Sequence, residues 1–242
     1  MDKSKLLAKN SLTIDKELEW LSSLIDNRLN YFCSTEEDKV LVDVEKPILD
    51  EDSSNYAKFI QSELKDDIER LLIISALSTN FFPEVFDRFL IKNKALDKTF
   101  TEFGGVKASE KNYFIPTLRT IVFILSGQSI AAKIKIKSYF NFDHIFKQKS
   151  ILGLAHEKES EDILDRKLFL GEEFLLHITS GDPFQPSYSS NFPASKLITP
   201  LEWEDLVLEQ SCLDEINIID TWLKNSSEID KNAVMNKKIN KG

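Results

Sequence analysis

The stretch that decides the fold is residues 55–78, NYAKFIQSELKDDIERLLIISALS. Its apolar residues recur at three- and four-residue steps, the spacing of one face of an α-helix. These residues are Tyr56, Phe59, Ile60, Leu64, Ile68, Leu71 and Leu72. Asn80 ends the pattern, and Pro83 fits the first turn of another helix with an apolar face of its own. The sequence therefore predicts two helices joined by a tight turn.

Upstream, residues 13–32 show the same helical spacing, with Thr13 as a candidate N-cap and acidic residues in the first turn. The apolar face of this amphipathic helix has two interpretations, which are packing in the core and binding to a partner or a second copy. Residues 34–54 are acidic, and we interpret them as a linker. The alternation of Val40, Val42 and Val44 leaves a short strand as an alternative there.

Downstream, residues 115–127 and SIAAKIKIKSYF, residues 129–140, are predicted helices, although the alternation over 133–137 is also compatible with a strand. SILGLAH (150–156) and ILDRKLFL (163–170) flank the polar EKESED, which is typical of a β-hairpin. Helices followed by a hairpin suggest a winged-helix-like arrangement. The expected fold class is thus mainly α with a small β-hairpin, or wing (α+β).

The C-terminal third of the sequence contains a proline- and serine-rich stretch that separates two segments with predicted secondary structure. A short helix near 172–179 precedes GDPFQPSYSSNFPASK, in which three prolines and several serines forbid a helix and indicate an extended connector. The rest predicts a short strand and then a helix. We therefore divide the chain into an N-terminal helix and linker (1–54), a helical, winged-helix-like domain (55–182), the connector (183–200) and a C-terminal segment (201–242).

Composition disfavours several classes of function. The formal net charge of −9 makes duplex DNA a poor partner for the chain as a whole, because phosphate contacts need clustered Lys and Arg. Cys33 and Cys212 are far apart and are expected as thiols. The N-terminus lacks the apolar region of a signal peptide, and no apolar run approaches the roughly 18 residues of a membrane span. We expect a cytoplasmic protein without membrane contact.

The sequence contains no complete motif for catalysis. Gly104 and Gly105, in TEFGGVKASEK, lack the GK[ST] of a phosphate-binding P-loop, so we interpret them as a structural loop whose glycines permit positive φ. His144, His156 and His177 have no zinc-binding spacing, and no serine lies in a GxSxG turn. We predict no catalytic residue, no metal site and no cofactor in this chain.

One concentration of basic residues lies around the second downstream helix. It consists of Lys133, Lys135, Lys137, Lys147 and Lys149. Two interpretations stay open: a surface that docks an acidic partner or DNA, and a solvated face that offsets an acidic chain. Arginines suited to reading bases are lacking there.

Several stretches together resemble the region that precedes the ATPase core in AAA+ ATPases of extracellular contractile injection systems of the antifeeding-prophage type. The resemblance spans about residues 55–242 and rests on DDIERLLIISAL (66–77), FTEFGGVKASEKNYFIPT (100–117), IVFILSGQSIAAKIKIKSYFNFDHIF (121–146), NFPASKLITPLEWEDLVL (191–208), LDEINIIDTWLKN (213–225) and NKKINKG (236–242). FTEFGG, FPA and LEWEDLVL are its most specific phrases.

The resemblance implies a winged-helix-like region followed by the start of a truncated AAA+ lobe over residues 201–242. It ends at Gly242, where the family has its first core strand and Walker A loop. It therefore implies that ATP and Mg²⁺ are bound only by a complete ATPase, which works as a hexamer. By the same analogy, Asp205, Leu206 and Val207 are remnants of the adenine side of the nucleotide pocket.

These observations predict a non-catalytic recognition or regulatory region that docks to a component of the injection particle or to a client protein. The alternative, from another class, is a winged-helix regulator that binds DNA.

Overall fold

A computed structural model describes residues 3–35, 40–50, 52–95, 97–107, 113–126, 129–155, 161–181, 205 and 207–231. The chain divides into two compact units, Met1–Ser187 and Tyr188–Gly242. The described part is mostly helical with small antiparallel sheets, which agrees with the predicted fold class of mainly α with a small β part.

The first unit contains seven α-helices and three two-stranded hairpins among its described residues. The helices are α1 (Lys3–Cys33), α2 (Asn55–Glu63), α3 (Asp67–Phe81), α4 (Leu118–Ser126), α5 (Ile130–Ser138), α6 (Ile145–Gln148) and α7 (Glu172–Ser180). The strands are β1 (Lys92–Asn93), β2 (Lys98–Thr99), β3 (Val106–Lys107), β4 (Phe114–Ile115), β5 (Leu152–Ala155) and β6 (Lys167–Leu170), paired in that order. Short 3₁₀ helices occupy Pro83–Leu90, Thr101–Phe103 and Ile163–Asp165.

α3 is the central helix of this unit. Every residue from Glu69 to Ser78 is buried, because α1, α4 and β6 pack around it. The single helix predicted over 55–78 is instead two, α2 and α3. The break has a local cause: the Asp66 carboxylate accepts hydrogen bonds from the first free amides of α3, and Glu69 reaches back to the Lys65 amide. The predicted helix after Pro83 is a 3₁₀ helix.

α1 begins ten residues before the predicted start. Thr13 is not an N-cap: it lies buried inside the helix, and its hydroxyl oxygen lies 3.0 Å from the Lys9 carbonyl oxygen and 2.5 Å from a carboxylate oxygen of Asp52. Leu21 and Ile25 of α1 are fully buried in the same core as α3. α1 therefore packs in the same core as the helical region, which agrees with the packing interpretation for this part of its apolar face.

The predicted hairpin is confirmed, and β5 pairs antiparallel with β6, Leu152 opposite Leu170. Thr117, just before α4, forms a further antiparallel bridge to Lys167 of β6. The stretch 133–137 is helical, within α5, which decides the alternative left open by its alternation. No strand forms at Val40–Val44, which has no partner strand among the described residues.

The described part of the second unit is dominated by α8 (Gln210–Lys231), which matches the predicted C-terminal helix. Its apolar side chains, Leu213, Ile218, Ile219, Trp222 and Leu223, are exposed. The predicted connector 183–200 and the strand before α8 lie outside the described residues. None of the described helices is long and apolar enough to cross a membrane.

Candidate functional site

The lysines predicted as a docking patch lie on neighbouring elements. Lys133, Lys135 and Lys137 belong to α5, Lys147 to α6, and Lys149 follows α6. At least three of them make ion pairs with acids among the described residues. The pairs, with their N–O distances, are Lys135–Asp66 (3.0 Å), Lys149–Glu63 (3.0 Å) and Lys137–Asp162 (3.8 Å).

These ion pairs partly neutralise the positive charge of the patch, but they do not fix its lysine side chains in place. All six side chains remain substantially exposed, and exposed pairs contribute about 0–1 kcal/mol each. An acidic partner could therefore exchange with the intrachain carboxylates at small cost. A DNA duplex needs several unneutralised charges at once, and the neighbouring acids work against it.

Asp66 is the centre of the polar cluster behind α5. One carboxylate oxygen accepts from the Ile68 and Glu69 amides (3.0 and 3.1 Å), and the other accepts from Lys135 Nζ (3.0 Å) and the Tyr139 hydroxyl (2.5 Å). Burial raises the pKa of Asp66, but the hydrogen bonds from Tyr139, the Glu69 amide and Lys135 outweigh it and leave the pKa below its ordinary value. Burial, then the bond to Asp66, raises the pKa of Tyr139 to about 12.

His144 has both ring nitrogens occupied. Nε2 lies 2.8 Å from Oε1 of the buried Glu69, and Nδ1 accepts the Phe146 amide at 3.3 Å. In the neutral ring the proton is therefore on Nε2 and is donated to Glu69. This arrangement orients the ring and leaves it no lone pair for a metal ion or a substrate proton.

The paired glycines form a turn that only glycine fits. Gly104 and Gly105 have φ of 61° and 75°, and the Gly105 amide donates to the Thr117 hydroxyl at 3.1 Å. A Cβ on Gly105 would lie 1.9 Å from the Phe114 ring. The turn thus lets Phe114 pack beside Phe89 in an aromatic cluster. The structural-loop interpretation agrees with this geometry.

The remaining predicted positions are not assembled into a site. Asp205 and Val207 are exposed, and Leu206 lies outside the described residues. Cys33 and Cys212 are free thiols. The described residues contain no group of three metal-ligating side chains.

An apolar groove lies between α1 and the end of α3. Leu7, Ile14 and Leu18 line one wall, and Phe81 and Phe82 line the other, around a cavity of about 240 Å³. Leu7 and Phe81 are each 53% exposed and Phe82 is 46% exposed. Asp15 is the one charged side chain among the lining residues. Exposed aromatic and aliphatic side chains around one concavity are typical of a protein-docking site.

A second surface surrounds residues 40–49, which we call the strap. It crosses α1 and α3 without forming a helix or strand, and Leu49 is buried beneath it. Cavities of about 350, 540 and 390 Å³ open beside the strap. The walls of the 540 Å³ cavity combine apolar residues of α1, α3 and α4 with the strap acids Asp43 and Glu45. The other two cavities have charged side chains of both signs in their walls.

Comparison with known proteins identifies no relative. No protein-family model matches the chain, and no curated protein and no solved structure matches it.

Neither the groove nor the open side of the strap was predicted from the sequence. Phe81 and Phe82 directly follow Asn80, which ended the helical pattern, and two aromatic residues beyond a helix-ending position were the available signal. For the strap the available signal was the alternation of Val40, Val42 and Val44. We interpreted this segment as a linker, because alternation alone does not show whether a segment has a strand to pair with.

Proposed function

We propose that this chain is a protein-recognition region, whose groove between α1 and α3 binds an apolar side chain of a partner protein. The observation that carries the proposal is the exposure of Leu7, Phe81 and Phe82 around one concavity of about 240 Å³. This volume is below that of ordinary small-molecule sites, roughly 300–1,000 Å³, and suits a single anchoring side chain.

The partner we propose is a component of a contractile injection particle or a client protein. The basis is the resemblance to the region ahead of the ATPase core in AAA+ ATPases of these systems. Two of its stretches form elements that specify this fold: DDIERLLIISAL supplies the central helix α3, and FTEFGG supplies the positive-φ turn beneath the aromatic cluster.

A winged-helix-like organisation is part of the proposal. In chain order the unit has α3, an extended residue at Thr117, α4, α5 and the β5–β6 hairpin, and Thr117 bridges β6. This order and this bridge support a winged helix, with α5 in the place of the recognition helix. The ion pairs of Lys135 and Lys137 favour a protein partner for α5 over DNA.

We further propose that this chain has no catalytic role of its own and acts in the cytoplasm. In the family it resembles, ATP and Mg²⁺ are bound by the ATPase lobe, and that lobe forms the hexamer. Asp205, Leu206 and Val207 would contribute to the adenine side only within such a lobe.

The test is capture of purified injection particles by the immobilised chain. Leu7→Ser combined with Phe82→Ser removes one apolar side chain from each wall of the groove. Leu12→Ser is the control, because Leu12 is comparably exposed on another face of α1. We expect capture by the wild type and the control, and about tenfold less by the groove variant. Equal capture by all three would overturn docking in the groove.

Charge reversal of Lys133, Lys135 and Lys137 to Glu tests the lysine patch separately. A loss of capture would indicate that α5 belongs to the docking surface, whereas unchanged capture would indicate that it does not. Titration of ATP and Mg²⁺ by calorimetry is expected to give no binding heat with this chain. Measurable ATP binding, or a salt-dependent shift of duplex DNA, would contradict the recognition role.

A further inference from the structure

The strap has a row of unpaired backbone groups. The only hydrogen bonds of its backbone to described residues are accepted by carbonyls: Val42 from Asn27 (2.5 Å), Pro47 from Arg70 (2.8 Å) and Leu49 from Gln61 and the Asp52 amide. The amides of residues 41–46 and 48 donate to no other described residue. A segment of this length with open donors and acceptors is a template for strand pairing.

The same segment exposes side chains that favour strands. Val40 is 80% exposed, Val42 66% and Ile48 85%. Val44 packs partly against the core and Leu49 is buried, so the strap is fixed at points along its length while its other side stays open. A segment held in place in this way loses little conformational entropy when it pairs.

The charges in the 540 Å³ cavity beside the strap select the partner. Asp43, Glu45 and Asp67 line the cavity of about 540 Å³ together with the apolar side chains Leu24, Leu71 and Leu125. Lys46 also lines it, but its ammonium group is 2.6 Å from Asp67. Basic side chains next to apolar ones would complement this wall, whereas a second copy of the acidic strap would place like charges opposite one another.

We infer that the strap binds an extended segment of a partner protein by β-strand addition along residues 40–48. The segment has apolar β-branched residues alternating with Lys or Arg. The backbone groups of the strap supply affinity, and the cavities beside it accept alternate side chains. This inference does not depend on the groove between α1 and α3, and it would stand if that groove bound nothing.

The direction of pairing can be specified further. The Val42 carbonyl faces α1, where it accepts from Asn27. In a paired strand successive residues direct their N–H and C=O groups to opposite sides, so an incoming strand would pair with Leu41 and Asp43, the neighbours of Val42. These two residues are the expected register positions for the incoming strand.

The experiment uses the full chain and a labelled, blocked peptide of alternating Lys and Val, followed by fluorescence anisotropy. One control peptide carries N-methyl groups on alternate amides, and another carries Glu in place of Lys. We expect the Lys–Val peptide to bind and each control to bind about tenfold more weakly, because one lacks backbone donors and the other repels the acids. Hydrogen exchange supplies the backbone readout: amides of residues 41–46 should slow when the peptide is bound.

Asp43→Lys with Glu45→Lys should weaken binding of the Lys–Val peptide about tenfold. Glu84→Lys should not, because Glu84 is exposed and lines none of these three cavities. Binding without protection of 41–46, or equal binding of the N-methyl peptide, would overturn strand addition. No binding at about 1 mM peptide would also overturn it, since the Kd would then lie above about 1 mM. A dimer through the strap would overturn the choice of a basic partner. The groove variant Leu7→Ser with Phe82→Ser should leave this binding unchanged, which separates the two surfaces.

Discussion

Removing the charge of Glu17 should be one of the most damaging single substitutions in this protein. Its side chain is 0% exposed and that of Arg70, its partner, is 7% exposed. Glu17 accepts from Arg70 Nε at 2.9 Å, from Arg70 Nη2, and from the Tyr56 hydroxyl at 3.0 Å. The cluster joins α1, α2 and α3, so it connects the N-terminal helix to the core.

Glu17→Gln keeps the shape of the side chain but leaves the Arg70 charge buried without a counter-ion and turns an amide N–H₂ toward donors. Breaking a buried pair in this way costs about 3–5 kcal/mol. With a urea dependence near 2 kcal/mol per molar, the midpoint of unfolding should fall by about 2 M. That loss is a large part of a total stability of about 5–15 kcal/mol.

The assay is urea unfolding followed by circular dichroism. The control is Lys46→Gln, which breaks an exposed pair with Asp67 and should cost less than about 1 kcal/mol. Adding Arg70→Met to Glu17→Gln removes the uncompensated charge, so the double variant should be more stable than Glu17→Gln alone. A midpoint shift below about 0.5 M, or purely additive losses in the double variant, would refute the reasoning.

Three further predictions concern stability. Gly105→Ala should cost about 2–5 kcal/mol, because it combines a positive φ of 75° with a Cβ 1.9 Å from the Phe114 ring; a melting temperature equal to the wild type would contradict this. Arg28→Met should cost about 2 kcal/mol in urea unfolding, because Arg28 donates to the Ile124 and Leu125 carbonyls at the end of α4 (2.9 and 2.7 Å), and a change within about 0.5 kcal/mol would argue against this cap. Stability should also depend on pH through Asp66 and Tyr139. The lowered pKa of Asp66 gives stability that is complete above its unfolded value of 3.8 and is lost as pH falls through the folded value, so Asp66→Asn should flatten the acid side of the profile. The raised pKa of Tyr139 gives stability that is complete below 10.0 and is lost between 10.0 and about 12, so Tyr139→Phe should flatten that window; unchanged profiles would contradict both assignments.

Much of the helical framework could be predicted from local pattern. The spacing over 55–78, the amphipathic helix upstream, the short helix near 172–179 and the β5–β6 hairpin all follow from periodicity and turn chemistry, which act between neighbours in sequence. The boundaries were less predictable. The cap at Asp66 is local, but its carboxylate also accepts hydrogen bonds from Tyr139 and Lys135, more than 65 residues away, which the sequence does not show.

The candidate sites likewise have some features that the sequence shows and others that depend on the tertiary structure. The sequence shows five lysines close together, but only tertiary structure brings Asp66, Glu63 and Asp162 against three of them. The groove was not visible because its walls, α1 and the end of α3, are separated by more than 60 residues. The small hairpins β1–β2 and β3–β4 were also missed, since two-residue strands carry no period.

By itself the sequence determined that this is a mainly helical protein with a small hairpin, and that two adjacent glycines occupy a turn, because helical periodicity and the missing Cβ act locally. Only the tertiary structure decided that the N-terminal helix belongs to the core, that Glu17 meets Arg70, and that the strap stays open instead of pairing. The physical reason is that burial, ion pairing and strand pairing all depend on which distant segment arrives as the neighbour, and that choice belongs to the packing of the whole unit.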